Sequence, residues 1–474
     1  MGAIIHFGTD GWRARLDGDF TEENVIRVAD AAGAMWSESY PYATVYIGYD
    51  TRPDAVRFAR LAAQVISAHG LVAKLADRPT PAPAVSWAVS RDDRACGALI
   101  VTGSHLPLDY LGIKLRVADG GGGTTDFYEE LEDAVEPDAT MARGPVQMTD
   151  VLDGYLQDMQ GLVDAEAIRD ARLSVVCDPM YGSARGTLAT VLRRLGVEVH
   201  EIHEAEDPDW LEFRPEPVEP WVDECEHEVV ERGAWAGIVV DGDADRLGAV
   251  DERGRYVSPH KILALVLGHL VRDRGAEGRV VLNISSSTLA RRVARALGCR
   301  ITIKPNGFKH IYEEMLKGDV LLGGEGAGGI GIPAHILERD AMFCGLLLVE
   351  LMAVTGRKLG ELVDDLEGQF GPLCYGQRDL RLEPEVIESL RNVLPGLNPP
   401  EVAGREPKTV SHMDGLRLEF EDESWLLLRP GGTEPVVRVY AEAATVERRD
   451  ELLDAGCDIA RGEILNSFRG RRGR

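Results

Sequence analysis

The sequence predicts an α/β fold of three similar domains in tandem, followed by a smaller α+β domain. Three observations carry this expectation. Short β-branched runs end in polar turns and lead into amphipathic helical patterns. That strand–turn–helix–strand pattern recurs three times at the spacing of ordinary domains. Beyond residue 370 it gives way to alternating strands closed by one helix.

In the first unit, the strand beginning Val45-Tyr-Ile-Gly-Tyr-Asp precedes a helix over Val56–Ala68. In the second, Leu173-Ser-Val-Val-Cys-Asp precedes a helix over Ala184–Leu195 and a strand over Glu198–Ile202. In the third, Arg279-Val-Val-Leu-Asn-Ile precedes a helix over Leu289–Leu297 and a strand over Arg300–Lys304. The last part reads as strands at Gly415–Phe420, Trp425–Arg429 and Val436–Ala441, then a helix over Val446–Glu463. Residues 1–150, 151–256, 257–370 and 371–474 are therefore expected to form four domains, the last boundary lying in Phe370–Pro372.

The formal net charge of −27 disfavours nucleic acid and anionic lipid as partners. The basic run Arg469–Arg474 reads as a solvated tail. Seven scattered cysteines form no CxxC pair, which points to reduced thiols in a cytoplasmic protein, with no zinc site and no disulfide framework. The N-terminus lacks the basic and apolar regions of a signal peptide. Apolar stretches at Ile262–Leu270 and Gly345–Val354 are too short to span a bilayer and are expected as buried helices.

Asp241-Gly-Asp-Ala-Asp-Arg246 follows an apolar strand and sets three carboxylates at alternate positions, a hard-oxygen group suited to Mg²⁺. An EF-hand is disfavoured because Arg246 stands where its loop needs glycine, and because the flanks read as strands. A phosphatase with Asp241 as nucleophile would place that aspartate on the first strand of its domain, whereas Asp241 comes late.

Leu99-Ile-Val-Thr-Gly-Ser-His-Leu-Pro107 ends a strand in a turn that presents Ser104 beside His105, a candidate nucleophile. Arg429-Pro-Gly-Gly-Thr-Glu-Pro435 joins two strands and offers a guanidinium, the Thr433 hydroxyl and the backbone of Gly431 and Gly432 to an anion. In Gly323-Gly-Glu-Gly-Ala-Gly-Gly-Ile-Gly331, Glu325 is the only side chain able to accept sugar hydroxyls.

Taken in order, these segments resemble the α-D-phosphohexomutase family. The match includes Phe7-Gly-Thr-Asp-Gly-Trp-Arg13, Gly307-Phe-Lys309 and Arg438-Val-Tyr-Ala-Glu442 as well, and covers essentially the whole chain. The resemblance implies mixed sheets around a central cleft, with one functional loop from each domain. It implies phosphoserine at Ser104, Mg²⁺ held by that phosphate with Asp241, Asp243 and Asp245, and sugar reading by Glu325. It implies a phosphate grip from the Arg429 loop, with Arg13, Lys114 and Arg246 neutralising charge, Lys309 and Arg438 binding substrate, and Lys114 or His105 as general acid/base. The implied partner is a sugar monophosphate, glucose 1,6-bisphosphate is the implied activator, and the protein would be a monomer or dimer.

Three positions depart from the family pattern: Leu106 for asparagine, Ala327 for serine and Gly431 for serine. Each removes a hydrogen-bonding group, a loss of about tenfold or more in affinity. The backbone N–H groups of Gly431 and Gly432 are expected to offset the last. Gly328-Gly329-Ile-Gly331 and His335-Ile-Leu-Glu-Arg-Asp340 are most similar to bacterial phosphoglucomutases; phosphomannomutase and phosphoglucosamine mutase members more often place histidine where Gly329 stands. The reading is thus a phosphoglucomutase, with phosphomannomutase, phosphoglucosamine mutase, a magnesium-dependent sugar phosphatase or a non-catalytic sugar-phosphate binder as alternatives.

Overall fold

The computed structural model describes residues 4–205, 213–431 and 436–462. Its first sheet contains β1 (Trp12–Arg15), β2 (Thr44–Tyr49), β3 (Val72–Ala76), β4 (Ala95–Val101), β5 (Tyr110–Val117) and β6 (Gln147–Thr149), in the order β1-β5-β4-β2-β3-β6. The second contains β7 (Ser174–Asp178), β8 (Glu198–Glu201), β9 (Ala236–Val240), β10 (Leu247–Asp251) and β11 (Tyr256–Val257), in the order β11-β10-β9-β7-β8. The third contains β12 (Arg279–Asn283), β13 (Ile301–Lys304), β14 (Val320–Gly324) and β15 (Ile330–Gly331), in the order β13-β12-β14-β15.

One unit underlies all three. Strands β3-β2-β4-β5, β8-β7-β9-β10 and β13-β12-β14-β15 each comprise three parallel strands and a fourth running antiparallel. Parallel neighbours require helical crossovers. Helices Ala55–Ala68, Thr187–Arg194 and Thr288–Ala296 supply the first crossover of each unit. The turn from the third strand to the fourth is short and leaves the C-terminal end of a parallel strand, where open α/β sheets bind ligands. In the three units that turn holds Ser104, then Asp241–Arg246, then Glu325.

The second-unit helix begins at Thr187, later than the expected Ala184, because the preceding turn packs on the aspartate loop, with Ser183 N–H donating to Gly242 O at 2.9 Å. The C-terminal sheet is wholly antiparallel and ordered β16-β20-β19-β18-β17: β16 (Cys374–Arg381), β17 (Thr409–Ser411), β18 (Leu416–Glu419), β19 (Trp425–Pro430) and β20 (Val436–Ala443). β16, β17 and the helix Pro384–Val393 were not legible from the pattern; β16 is a polar, half-exposed edge strand with no apolar run to mark it. The final helix is Val446–Ala460, and the expected end at Glu463 lies outside the described residues.

One continuous apolar core runs through the first three units. The two apolar stretches contribute to it as the buried helices Pro259–Arg272 and Ala341–Thr355. The C-terminal sheet has its own core. No helix among the described residues is long and apolar enough to cross a membrane.

Candidate active site

The serine turn is shaped by two residues that follow β2. Asp50 Oδ2 accepts from Thr102 Oγ1 at 2.8 Å and from Gly103 N–H at 2.9 Å. The buried Arg52 guanidinium donates to the carbonyls of Ser104 (2.8 Å), Leu106, Pro107 and Tyr110 (3.0 Å). This clamp holds Ser104 at φ +50°, a left-handed conformation that costs a non-glycine residue about 1–2 kcal/mol. The resulting turn directs Ser104 Oγ to Asp241 Oδ2, to which it donates at 3.0 Å, and sets it 3.3 Å from His105 Nδ1.

The aspartate loop can approach so closely because residue 242 has no side chain. A β-carbon there would sit 2.5 Å from Ser104 O. Asp241, Asp243 and Asp245 are all buried, and one oxygen from each falls within 4.8 Å of the others. Burial, and then repulsion from Asp243 and Asp245, pushes the Asp241 carboxyl well above its ordinary range. Asp243 Oδ1 and Asp245 Oδ1 are buried without a hydrogen-bond partner. Crowded, orphaned carboxylate oxygens are what a hard divalent cation would relieve, so the donor set fits a metal. The flanks β9 and β10 are strands, as the argument against an EF-hand required.

Around this group the charges are densely paired. Lys114 Nζ lies 2.5 Å from Asp245, 2.7 Å from Asp243 and 2.9 Å from Asp10. Burial lowers its pKa, but these three carboxylates outweigh burial and raise it, so Lys114 is held protonated here. Arg339 lies 2.6 Å from Asp10, 2.9 Å from Asp245 and 3.3 Å from Glu325. Burial likewise opposes ionisation of Asp245, yet Arg339 and Lys114 bring its carboxyl down to about 2. His105 is pushed well below its usual range by burial and then by Arg246, Arg13, Lys114 and Arg214, and stands neutral beside the serine hydroxyl.

The glutamate loop is stitched to the aspartate loop. Leu247 N–H donates to Gly328 O at 3.1 Å, and Arg246 pairs with Gly329 in a single β-bridge. Gly307 packs against Thr9, which brings the Phe308–Lys309 segment to the Phe7–Arg13 turn. Thus Arg13, Ser104, His105, Lys114, the three aspartates, Arg246 and Glu325 converge. Arg429 and Arg438 face each other across β19 and β20, further away in the C-terminal sheet. Arg429 Nε donates to Asp414 Oδ2 at 2.8 Å, and the same oxygen accepts Asn306 N–H at 2.9 Å, linking the Arg429 loop to the turn before Lys309. Gly431 departs from expectation: its N–H closes the hairpin onto Val436 O at 2.7 Å and is not free for an anion. Gly432 and Thr433 lie outside the described residues.

Asp10, Arg52 and Arg339 were missed as site residues by sequence reasoning. Asp10 and Arg339 sit within quoted motifs, but nothing in their spacing shows that they meet across 329 positions of chain.

Known proteins share this four-domain architecture. The models described as phosphoglucomutase/phosphomannomutase α/β/α domains I, II and III and C-terminal domain match residues 5–141, 153–254, 258–370 and 390–458. A Thermococcus kodakarensis protein named phosphoglucomutase/phosphomannomutase is 31% identical over 467 residues, which is 96% of this chain and 98% of its own length. A Salinispora arenicola phosphoglucosamine mutase is 32% identical over 462 residues, covering 93% of this chain and 94% of its own. The structure of a Thermus thermophilus protein, provisionally named a phosphomannomutase, is similar at a TM-score of 0.87 and 32% identity, covering 98% of this chain and 100% of that one. The chain belongs to the α-D-phosphohexomutase family and is an isomerase of the kind that moves phosphate within a sugar.

Proposed function

We propose that this protein is a phosphoglucomutase that interconverts glucose 1-phosphate and glucose 6-phosphate through phosphorylated Ser104. The observation that carries the reading is Ser104 Oγ at 3.0 Å from Asp241, inside a buried group of three carboxylates. Asp241, Asp243, Asp245 and the Ser104 phosphate would hold Mg²⁺, which supplies charge neutralisation for phosphoryl transfer.

In the first half-reaction the bond from phosphorus to Ser104 Oγ breaks and a bond to a sugar hydroxyl oxygen forms. The hydroxyl proton leaves to a base, and the neutral His105 imidazole is placed to carry a proton at Oγ. The product is a bisphosphorylated sugar. After that sugar turns, its other ester bond to phosphorus breaks and the released sugar oxygen takes up one proton, while Ser104 Oγ gives up its own and its bond to phosphorus re-forms. Arg13, Lys114 and Arg246 supply positive charge around the reacting group. Glu325 orients the sugar hydroxyls. Arg429 and Arg438, with Lys309, Gly432 and Thr433, grip the phosphate that is not reacting. Glucose 1,6-bisphosphate acts as activator by phosphorylating a bare Ser104. The seven free thiols fit a cytoplasmic setting.

Glucose is favoured by Gly329 and by the His335–Asp340 run. The names of relatives divide among glucose, mannose and glucosamine. The test is a mutase assay with Mg²⁺ on the 1-phosphates of glucose, mannose, glucosamine, N-acetylglucosamine and a pentose. Glucose 1-phosphate should show the highest kcat/KM, and a higher value for another sugar overturns the assignment to glucose. Ser104→Ala should lower turnover by a factor on the order of a thousand or more. Full activity in that variant, or net phosphate release independent of Ser104, would remove the mutase mechanism.

A further inference from the structure

Gly329 and Arg339 compete for one space. A β-carbon at residue 329 would lie 2.3 Å from Arg339 Cδ, 3.0 Å from its Cγ and 3.0 Å from Glu325 Oε2. The first two are atoms in the middle of a side chain whose far end is pinned. The Arg339 side chain is 3% exposed, and its three guanidinium nitrogens each face a carboxylate. Nε binds Glu338 at 3.1 Å, Nη1 reaches Glu325 at 3.3 Å, and Nη2 lies 2.6 Å from Asp10 and 2.9 Å from Asp245. The Phe308 ring stacks 5.3 Å from its Cζ. With the head fixed in three directions and a ring beside it, the stem has nowhere to swing. Lysine could not reproduce this, because its single ammonium nitrogen cannot stand in the three separate places from which the guanidinium nitrogens reach four carboxylates.

The consequence reaches the reaction. Arg339 touches both the glutamate of the sugar loop and an aspartate of the metal loop. The backbone join between Gly328 and Leu247 sets the distance between these loops, while Arg339 sets where the Glu325 carboxylate lies between them. We infer that Arg339 is the positioning residue that fixes Glu325 for sugar recognition, and that residue 329 is glycine because the Arg339 stem needs the space of its side chain. This rests on the reading of Gly323–Gly331 as the sugar loop.

The test compares wild type, Gly329→Ala, Arg339→Lys and the double variant, all at saturating Mg²⁺. Titration calorimetry with glucose 6-phosphate gives Kd, and steady-state assays give kcat and KM separately. Each single variant should raise Kd and KM by about tenfold or more, because a charge-assisted contact to Glu325 is lost, while kcat falls less. The double variant should match Arg339→Lys alone, because the unpinned stem no longer resists a methyl group at 329. Kd and KM of Gly329→Ala within about twofold of wild type would overturn the inference, as would losses that multiply in the double variant. Reduced kcat with unchanged Kd and KM, the signature of a smaller folded fraction, would also overturn it. Should Arg339→Lys fail to fold, Gly329→Ala keeps every charge and decides alone. A wild-type protein that binds no hexose phosphate overturns the sugar-loop reading itself.

Discussion

The part of the proposed site on the first three sheets and the part on the C-terminal sheet are held by different physics. The three sheets share one apolar core, and their loops meet through buried ion pairs: Lys114 among three carboxylates, and Arg339 among four. The C-terminal sheet has a core of its own and joins the rest mainly by polar contacts. Glu442 is the hub of that joint. It accepts from Thr288 N–H at 2.7 Å and Trp425 Nε1–H at 2.9 Å, and it is bonded to the Ser287 hydroxyl. Its carboxylate thus sits at the N-terminus of helix Thr288–Ala296, where negative charge is favourable. A small apolar contact of Ile284 with Trp425, Leu427 and Tyr440 completes the joint. The difference teaches that the groups expected to do the chemistry are fixed by burial, whereas the arginines expected to hold the distant phosphate ride on a separately cored element.

Three variants break or sharpen this contrast. The largest effect belongs to Lys114→Met, which leaves Asp10, Asp243 and Asp245 without their shared cation. Breaking a buried pair in this way costs about 3–5 kcal/mol, read as a fall in unfolding free energy in chelator-treated buffer. Addition of Mg²⁺ should return part of the loss, and its failure to do so would count against the aspartates as metal ligands.

Next is Glu442→Gln, which removes charge from the joint and keeps the shape. It should cost about 1.5–3 kcal/mol, seen by calorimetry in unfolding of the C-terminal element, with kcat/KM for the reaction changing less than in Lys114→Met. An equal loss of stability in both elements would mean that the two cores are not separate folding units.

The smallest effect is a pH dependence in the second unit. His203 lies between Asp178 at 2.8 Å and Glu224 at 2.9 Å. Burial alone would lower its pKa, but the two carboxylates outweigh burial and raise it to about 8. A raised value in the folded state means that the stabilisation is fully present below the unfolded value of 6.5 and is lost as pH rises through about 8. At most about 2 kcal/mol is at stake. Melting temperatures between pH 6 and pH 9, about this window, should show that decline in wild type and not in His203→Gln; identical slopes would refute the pairing.

Much of the fold was legible because the apolar runs of β2, β4, β9, β12 and β14 are long enough to mark parallel strands before the turn residues that end them. The short polar strands β16 and β17 carry no such signal, since an edge strand buries little on either face. Within the site, Ser104, the three aspartates and Glu325 announced themselves because each sits in a local run of residues whose chemistry needs no distant partner to be noticed. Arg52 did not, because its role is to bind carbonyl groups, which every sequence has. Nor did the engagement of the Gly431 N–H with Val436, which depends on how one hairpin closes.

By itself the amino-acid sequence determined three repeated strand–helix units, a different C-terminal module, and a strand-end turn in each for the groups that could do chemistry. Periodicity and turn residues act over a few positions, so that information is local. Only the tertiary structure decided that Arg339 reaches Asp10, that Lys114 is held protonated among carboxylates, and that His105 stays neutral beside Ser104. Those outcomes depend on Coulomb interactions between residues far apart in the chain but within a few ångströms in a water-poor interior, and no linear pattern encodes such distances.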